Sequence, residues 1–573
     1  MVVNSLLSNR QRQQLKVQKI NSMTAKSLIN YKDKKVLIVD DQRSFQTMMK
    51  GLLFSIGARN INFANNGESA LAQCLETKFD LLFIDYNLGQ GKDGRQLLEE
   101  LRLKKCLAVD AIYMIVSGES TRPMVLGAVE VEPDDYLIKP FSQGLLKSRI
   151  HRVYKRKQLL KDAMLALEQE QYDTAIKLIL AVKKSQPRYR QYCVQLLSNI
   201  YIKQKDYENA LQLLKNELAI KRVTWALISS ASIYLLKKDF EQALTLCEEV
   251  LDINRFRAEA HDIKARCQLA MGQTKEALKT IKQSVSISPY SFTRQFLLAD
   301  IARENKAYNS LINACQNLLD MSRRSIHQDV SYQLNFIRAL FDAAQNSDNE
   351  PDKEHYLKET KIALQKARAD QQLFIDTPFD VFEAMCLARL DALKGNYLQS
   401  KKSLGVVQEQ INNNESEMPL ELYPESIMTL LEIGEFEQAF ELLDKFKQNN
   451  GRNTDFIEAI MAEQADNAEQ KIANFETHNK QGIEQYKKGN FSLAIEEFEK
   501  ALNYAPMNTG SALNLIQALL QVLQHPDSDT ASLKQKCIET FNLVDGITLP
   551  KAHFDRCVEL KTEFKRISAH LSK

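Results

Sequence analysis

No apolar run in the 573 residues reaches the roughly 18 that a membrane-crossing helix requires, so nothing reads as a membrane span. The opening, "MVVNSLLSNRQRQQ", lacks the long apolar core of a secretory signal. Cysteine occurs nine times but never as a CxxC pair. That argues against a zinc site or disulfide frame and for reduced thiols in a cytoplasm. Excess charge is lacking as well: the formal net charge of +3 is too small to imply nucleic acid. Only the start is lopsided, with eight Lys or Arg in residues 1–35 against one acid, Asp33. Such an arm, taken as residues 1–33, is expected to be flexible and solvated, with membrane or RNA contact as its alternative. The eight histidines form no cluster, and HExxH, P-loop, GGDEF-like and EAL-like signatures are all missing. Tryptophan occurs once, as Trp225.

What is present is a globular composition, 44% apolar and 26% charged. At this length a single core is excluded and roughly two to four units are expected. Residues 34–156 alternate short apolar strands with amphipathic helices: "KVLIVDD", "RNINFAN", "LLFIDYN", "IYMIVSG" and "DDYLIKP", each followed by a helical stretch. Five strands so arranged predict a parallel, doubly wound sheet. Ligands of such sheets bind beyond the carboxyl ends of the strands. Asp40 and Asp41 stand at that end of strand one, Asp85 of strand three, Ser117 of strand four and Lys139 of strand five. Two adjacent carboxylates at the edge of an apolar sheet repel one another and lose hydration, so something cationic must stabilise them.

After about residue 157 the strands end and a helical repeat begins. An aromatic residue followed three positions later by a small one occurs as Tyr172/Ala175, Tyr207/Ala210, Phe240/Ala243, Tyr397/Ser400, Phe436/Ala439 and Phe491/Ala494. Tyr308/Leu311 and Thr274/Ala277 keep the register, and the first five units are spaced by 35, 33, 34 and 34 residues. Twelve positions earlier lie Ala163, Ser198, Ala231, Ala265, Ala299, Ala388, Ile427 and Gly482, all but one small. Pro187, Pro289 and Pro506 close three units. Small residues at two fixed sites let paired helices approach closely, and proline ends the second helix. This pattern resembles the tetratricopeptide repeat, a stacked helix hairpin. The likeness is strong over 157–323 and 478–510, and tetratricopeptide repeats are assigned to 157–323 and 396–510. Residues 324–395 read as divergent helical repeats, with the acidic "NSDNEPDKE" as an extended loop, and 511–573 as further helices.

Residues 34–156 resemble the receiver domain of two-component response regulators, which implies a flavodoxin-like five-stranded sheet followed here by an all-helical superhelix. The resemblance implies that Asp85 accepts phosphate, that Asp41 ligates Mg²⁺ directly and Asp40 partly through water, and that the Asn87 carbonyl joins them. Ser117 and Lys139 would contact phosphate oxygens, Tyr136 would be the aromatic switch, and the bond before Pro140 would be cis. A loop one residue longer than usual ("NLGQGKDG", with Gly89 where proline is frequent) and a last connection, "VEVEPDD", without its usual glycine depart from the family. The implied partners are a sensor histidine kinase and an unknown protein held by the repeats. No DNA contact, separate enzyme activity or particular oligomeric state is expected. The basic residues Arg149, Arg152, Lys155, Arg156 and Lys157 leave nucleic-acid binding as the alternative, beside a constitutive scaffold with phosphate-controlled dimerisation. The helix from Ser142 has no Pro or Gly near residue 156, so it is expected to run on into the first repeat.

Overall fold

The computed structural model describes residues 29–89, 91–118, 121–323, 325–370, 374, 378–413, 420–448, 455–524, 530–545 and 549–571. Most of the basic arm, residues 1–28, lies outside them. The chain forms two compact units, Met1–Asp329 and Val330–Lys573.

The first unit begins with the sheet. Its strands are β1 (Lys35–Val39), β2 (Asn60–Ala64), β3 (Leu81–Asp85), β4 (Ile112–Ser117) and β5 (Asp135–Ile138). All pairs are parallel, in the order β2-β1-β3-β4-β5. The connecting helices are α1 (Arg43–Ser55), α2 (Gly67–Glu76), α3 (Gly94–Leu103) and α4 (Arg122–Glu130), with α5 (Gln143–Glu168) after β5. The central strands are apolar between their ends because both faces are covered. Leu37, Val39, Leu82, Ile84, Tyr113 and Ile115 pack with Ala70, Leu71, Leu97 and Leu101 of α2 and α3. Their neighbours Val36, Ile38, Leu81, Phe83, Met114 and Val116 pack against Met49 and Leu53 of α1 and Leu146, Ile150 and Val153 of α5. The alternation is the two-residue period of a strand. Because β1 leads outward to β2 while β3 lies on its other side, the strand order reverses between β1 and β3. A crevice opens at their carboxyl ends there.

Side chains mark where the helices start. Asn66 caps α2, Asp93 and Gln96 form a capping box on α3, and Ser142 caps α5. Helix α5 then continues without a break for 26 residues, so its second half is already the first helix of the repeat region. The following helices are α6 (Tyr172–Ser185), α7 (Arg190–Lys203), α8 (Tyr207–Ile220), α9 (Thr224–Leu236) and α10 (Phe240–Ile253). Next come α11 (Ala258–Ala270), α12 (Thr274–Ile287), α13 (Phe292–Glu304) and α14 (Tyr308–Ser322).

Five hairpins result, and their turns are alike. Glu170, Lys205, Lys238, Gly272 and Lys306 each take a positive φ. The amide next in sequence reaches back five residues in every case, from Gln171, Asp206, Asp239, Gln273 and Ala307 to Ala166, Tyr201, Tyr234, Gln268 and Ala302. These bonds satisfy carbonyls that the helix end leaves without partners. The small residues of the repeat are where helices meet: Ala163, Ser198, Ala231, Ala265 and Ala299 are buried, as are Ala175, Ala210, Ala243, Ala277 and Leu311.

The second unit is also all-helical. It contains α15 (Val330–Gln345), α16 (Glu350–Ala369), α17 (Phe379–Leu393), α18 (Tyr397–Asn413), α19 (Tyr423–Ile433) and α20 (Phe436–Gln448). The series ends with α21 (Asp455–Lys487), α22 (Phe491–Tyr504), α23 (Thr509–Leu523), α24 (Thr530–Asp545) and α25 (Lys551–Leu571). The acidic stretch expected as a loop contributes only its first residues to one. Asn349 caps α16, and Glu350 and Asp352 lie in the first turn, where carboxylates complement the helix dipole. Gly482 lets α21 meet α22, since a Cβ there would lie 2.6 Å from the Phe498 ring. Helices α23, α24 and α25 supply buried apolar residues to one core with α22.

One buried ion pair ties α15 to α19. Arg338 Nε and Nη2 donate to the two Glu425 oxygens at 2.7 and 2.9 Å, and neither side chain reaches solvent appreciably. Removing one partner strands the other charge, so Glu425→Ala is expected to destabilise the second unit by about 3–5 kcal/mol. Urea denaturation followed by circular dichroism checks this; a loss under about 1 kcal/mol contradicts the pairing.

Candidate functional site at the carboxyl edge of the sheet

Three carboxylates meet where β1 and β3 end. Asp40, Asp41 and Asp85 each offer an oxygen, and these atoms all lie within 4.8 Å of one another. Asp40 is fully buried, Asp85 nearly so, and Asp41 is exposed. The burial follows from the strands, because Val39 pairs level with Ala64 and Ile84 and carries Asp40 over the end of the core.

The cation that the sequence calls for is in part a side chain. Lys139 Nζ lies 2.7 Å from Asp40 Oδ2 and 2.8 Å from Asp85 Oδ2, bridging the two. It also sits 3.6 Å from the centre of the Phe45 ring, whose face attracts an ammonium. Phe45 in turn meets Phe141 edge-on. Burial raises the Asp85 carboxyl above its ordinary pKa; Lys139 opposes the rise and Asp40 adds to it. One ammonium among three carboxylates leaves an acidic, oxygen-only donor set. That chemistry suits a small hard divalent cation.

Ser117 and Lys139 are held by neighbouring strands. Ser117 pairs with Ile138 across β4 and β5, its side chain is buried, and its carbonyl accepts from Lys139 N at 2.8 Å. The Lys139–Pro140 peptide bond is cis. Tyr136 is half-buried against the α2–α3 side of the sheet. Asn87 is exposed in the loop after β3, and its side chain accepts from Gly89 N. Glu119, two residues after Ser117 in the sequence, lies outside the described residues.

The departures from the family pattern have local solutions. Where the last connection lacks glycine, Glu132 itself adopts φ +50°. Its carbonyl accepts from Arg102 Nη2 at 2.6 Å, which holds an otherwise unfavourable backbone. The longer loop after Asp85 is tied to α2: Lys92 N donates to Glu68 Oε1 at 3.0 Å, and Gly91 takes φ +119°.

Sequence reasoning missed four residues of the site. Phe45 and Gln46 sit in the first turn of α1. Gln46 Nε2 donates to the Asp40 carbonyl at 2.7 Å and to that of Ala64 at 3.1 Å, fixing the end of β1. Glu68 anchors the longer loop from α2. Gly94 opens α3 so close to β3 that a Cβ would lie 2.4 Å from the Asp85 carbonyl oxygen. The "DG" of "KDGRQ" marks a turn, but nothing local reveals that approach. The basic face of α5 is engaged within the domain. Arg149 and Arg152 pair with Asp135 at 2.8 and 2.6 Å, and Lys157 pairs with Asp134 at 2.7 Å.

Residues 36–151 match the response regulator receiver domain family. The chemotaxis protein CheY-3 of Vibrio cholerae serotype O1 is 30% identical over 125 residues, which are 22% of this chain and 95% of that protein. The chemotaxis protein CheY of Pseudomonas aeruginosa is 32% identical over 122 residues, 21% of this chain and 97% of that protein. Among solved structures, a two-component response regulator from Clostridium difficile is 27% identical and covers 22% of this chain and 98% of its own, with a TM-score of 0.20. Through the domain that carries the acidic cluster, this chain belongs to the response regulator receiver family.

Proposed function

We propose that Asp85 accepts a phosphoryl group from a sensor histidine kinase in a phosphorelay, and that the helical hairpins, read as tetratricopeptide repeats, bind another protein under control of that phosphate. The observation that carries this reading is Lys139 bridging Asp40 and Asp85, with Ser117 on the adjoining strand end.

In the transfer, an Asp85 carboxylate oxygen attacks phosphorus and the bond from phosphorus to the donor imidazole nitrogen breaks. The electron pair stays with that nitrogen, and the carboxylate becomes an acyl phosphate. Transfer of this kind depends on positioning and charge neutralisation. Asp41 and Asp85, with Asp40 through water and the Asn87 carbonyl, would hold Mg²⁺. Bound there, the ion supplies positive charge to the transferring phosphoryl oxygens. Lys139 trades its bond to the Asp85 carboxylate for one to a phosphate oxygen, and the Ser117 hydroxyl donates to another. Tyr136 follows the β4 end inward. The chain thus acts by being modified and not as an enzyme on a further substrate, and its place is the cytoplasm. The internal pairing of the α5 basic face disfavours nucleic acid as the partner.

Two outcomes are expected. Purified protein takes up label from radioactive acetyl phosphate when Mg²⁺ is supplied. Asp85→Asn abolishes the uptake, Asp41→Ala lowers its rate about tenfold or more, and chelation abolishes it. Uptake that survives Asp85→Asn refutes the assignment. In chelator, Asp85→Asn is also expected to raise the melting midpoint by about 2–4 °C, since it removes one of three crowded carboxylates. Calorimetry reads the midpoint; a lower one for the variant contradicts the electrostatic account.

A further inference from the structure

The first unit places the receiver against its own repeats, and the contact starts beside the phosphoacceptor. Helix α3 begins nine residues after Asp85, and its first turn is bound to the sheet: Gly94 N donates to the carbonyl of Tyr86, just past β3, at 2.9 Å, and Tyr113 Oη of β4 donates to the Gly94 carbonyl at 2.6 Å. The next two residues reach the repeats. Arg95 Nη1 donates to the Tyr290 carbonyl at 2.7 Å, and the guanidinium lies 5.4 Å from the centre of the Tyr290 ring. Gln96 Nε2 stands 3.3 Å from the carbonyls of Met321 and Arg323, at the end of α14, where the last carbonyls of a helix turn to groups outside it.

Helix α4 completes the seat. Tyr290, in the loop between α12 and α13, packs so near Gly127 that a Cβ there would lie 3.1 Å from the ring. One turn on, Glu130 meets Arg294 at 3.0 Å, and Arg294, itself buried, is held from behind by Asp262 at 2.9 Å. Arg122 stacks 3.6 Å from the centre of the Phe256 ring. Arg95, Gln96 and Arg294 are buried and polar, so they lose more when left unpaired than they gain when paired. Such a contact has two arrangements, docked or solvated, with little between.

We propose that the repeat surface around Tyr290 and Arg294 is a receiver-binding site occupied by this chain's own receiver, and that Arg95 and Gln96 make its occupancy follow the state of Asp85. The inference rests on the phosphoacceptor reading. It adds a second route to the one through Ser117 and Tyr136. A phosphoryl group on Asp85 shifts Tyr86 beside it, Tyr86 moves the first turn of α3 that its carbonyl holds, and that turn carries the contacts to two repeats. The docked state covers the α12–α14 end of the repeats; phosphorylation uncovers it for the protein partner.

Hydrogen–deuterium exchange of the full chain, with and without beryllofluoride and Mg²⁺, tests the proposal. Beryllofluoride is expected to speed exchange about threefold or more in peptides spanning 94–103 and 289–304, and Asp85→Asn to show no change. Tyr290→Ala should exchange at the faster rate without beryllofluoride. Arg95→Gln, which leaves the repeats untouched, should do the same, so misfolding of the repeats cannot produce the result. Unchanged exchange in protein that accepts label from acetyl phosphate overturns the proposal and leaves the phosphoacceptor reading standing. Failure to accept label overturns both.

Discussion

Asp40 and Asp85 share the carboxyl edge of the sheet because the Lys139 ammonium lies under 3 Å from both. Carboxylates about 4–5 Å apart repel by roughly 3–4 kcal/mol at an effective dielectric of 20, and each attraction to Lys139 acts across a shorter distance. The balance is local, since the third carboxylate, Asp41, stays exposed and adds further negative charge to the cluster. A site poised this way gains from any further cation or from a group that gives Lys139 a better acceptor. The strand ends that carry the balance are fixed by packing on both faces, by Gln46 at β1 and by the β4–β5 pairing at Ser117 and Lys139.

The same rigidity explains how a change of charge could leave the site. Helix α5 is shared between the sheet and the first hairpin, so those two elements cannot turn freely on one another. With that end fixed, the α3–α4 side is where the receiver and repeats meet through separable polar contacts. Tyr136 faces a cavity of about 1040 Å³ on that side, lined also by Trp225 and Phe256 of the repeats. A side chain beside such a space can change rotamer without displacing packed core.

Much of this was legible in the sequence, for reasons that can be named. Buried parallel strands need apolar runs on both faces, so "KVLIV" and "LLFID" announce themselves, and polar residues at their ends mark the crevice. The repeat was legible because close helix contact demands small residues at fixed positions, and Ala163, Ala231 and Ala265 are buried where that requires. The turns were less so: at the five hairpin turns of the first unit, four of the residues with positive φ are Glu or Lys and not glycine. Glu132 likewise stands where glycine was missed, its backbone held by Arg102, 30 residues away. The acidic stretch misled because its charge signals a loop, while at Glu350 and Asp352 it serves the start of a helix. The receiver–repeat contact was invisible, since Arg95 and Tyr290 are 195 residues apart and neither has a local pattern.

The most direct test of the account is to locate the phosphoryl group. Protein treated with acetyl phosphate and Mg²⁺ is reduced with borohydride, which converts an acyl phosphate to an alcohol, and the peptides are sequenced by mass spectrometry. The account predicts that the carboxyl of Asp85 alone is converted to homoserine, and that conversion requires Mg²⁺. Conversion at Asp40 or Asp41, or none at all in folded protein, would contradict it.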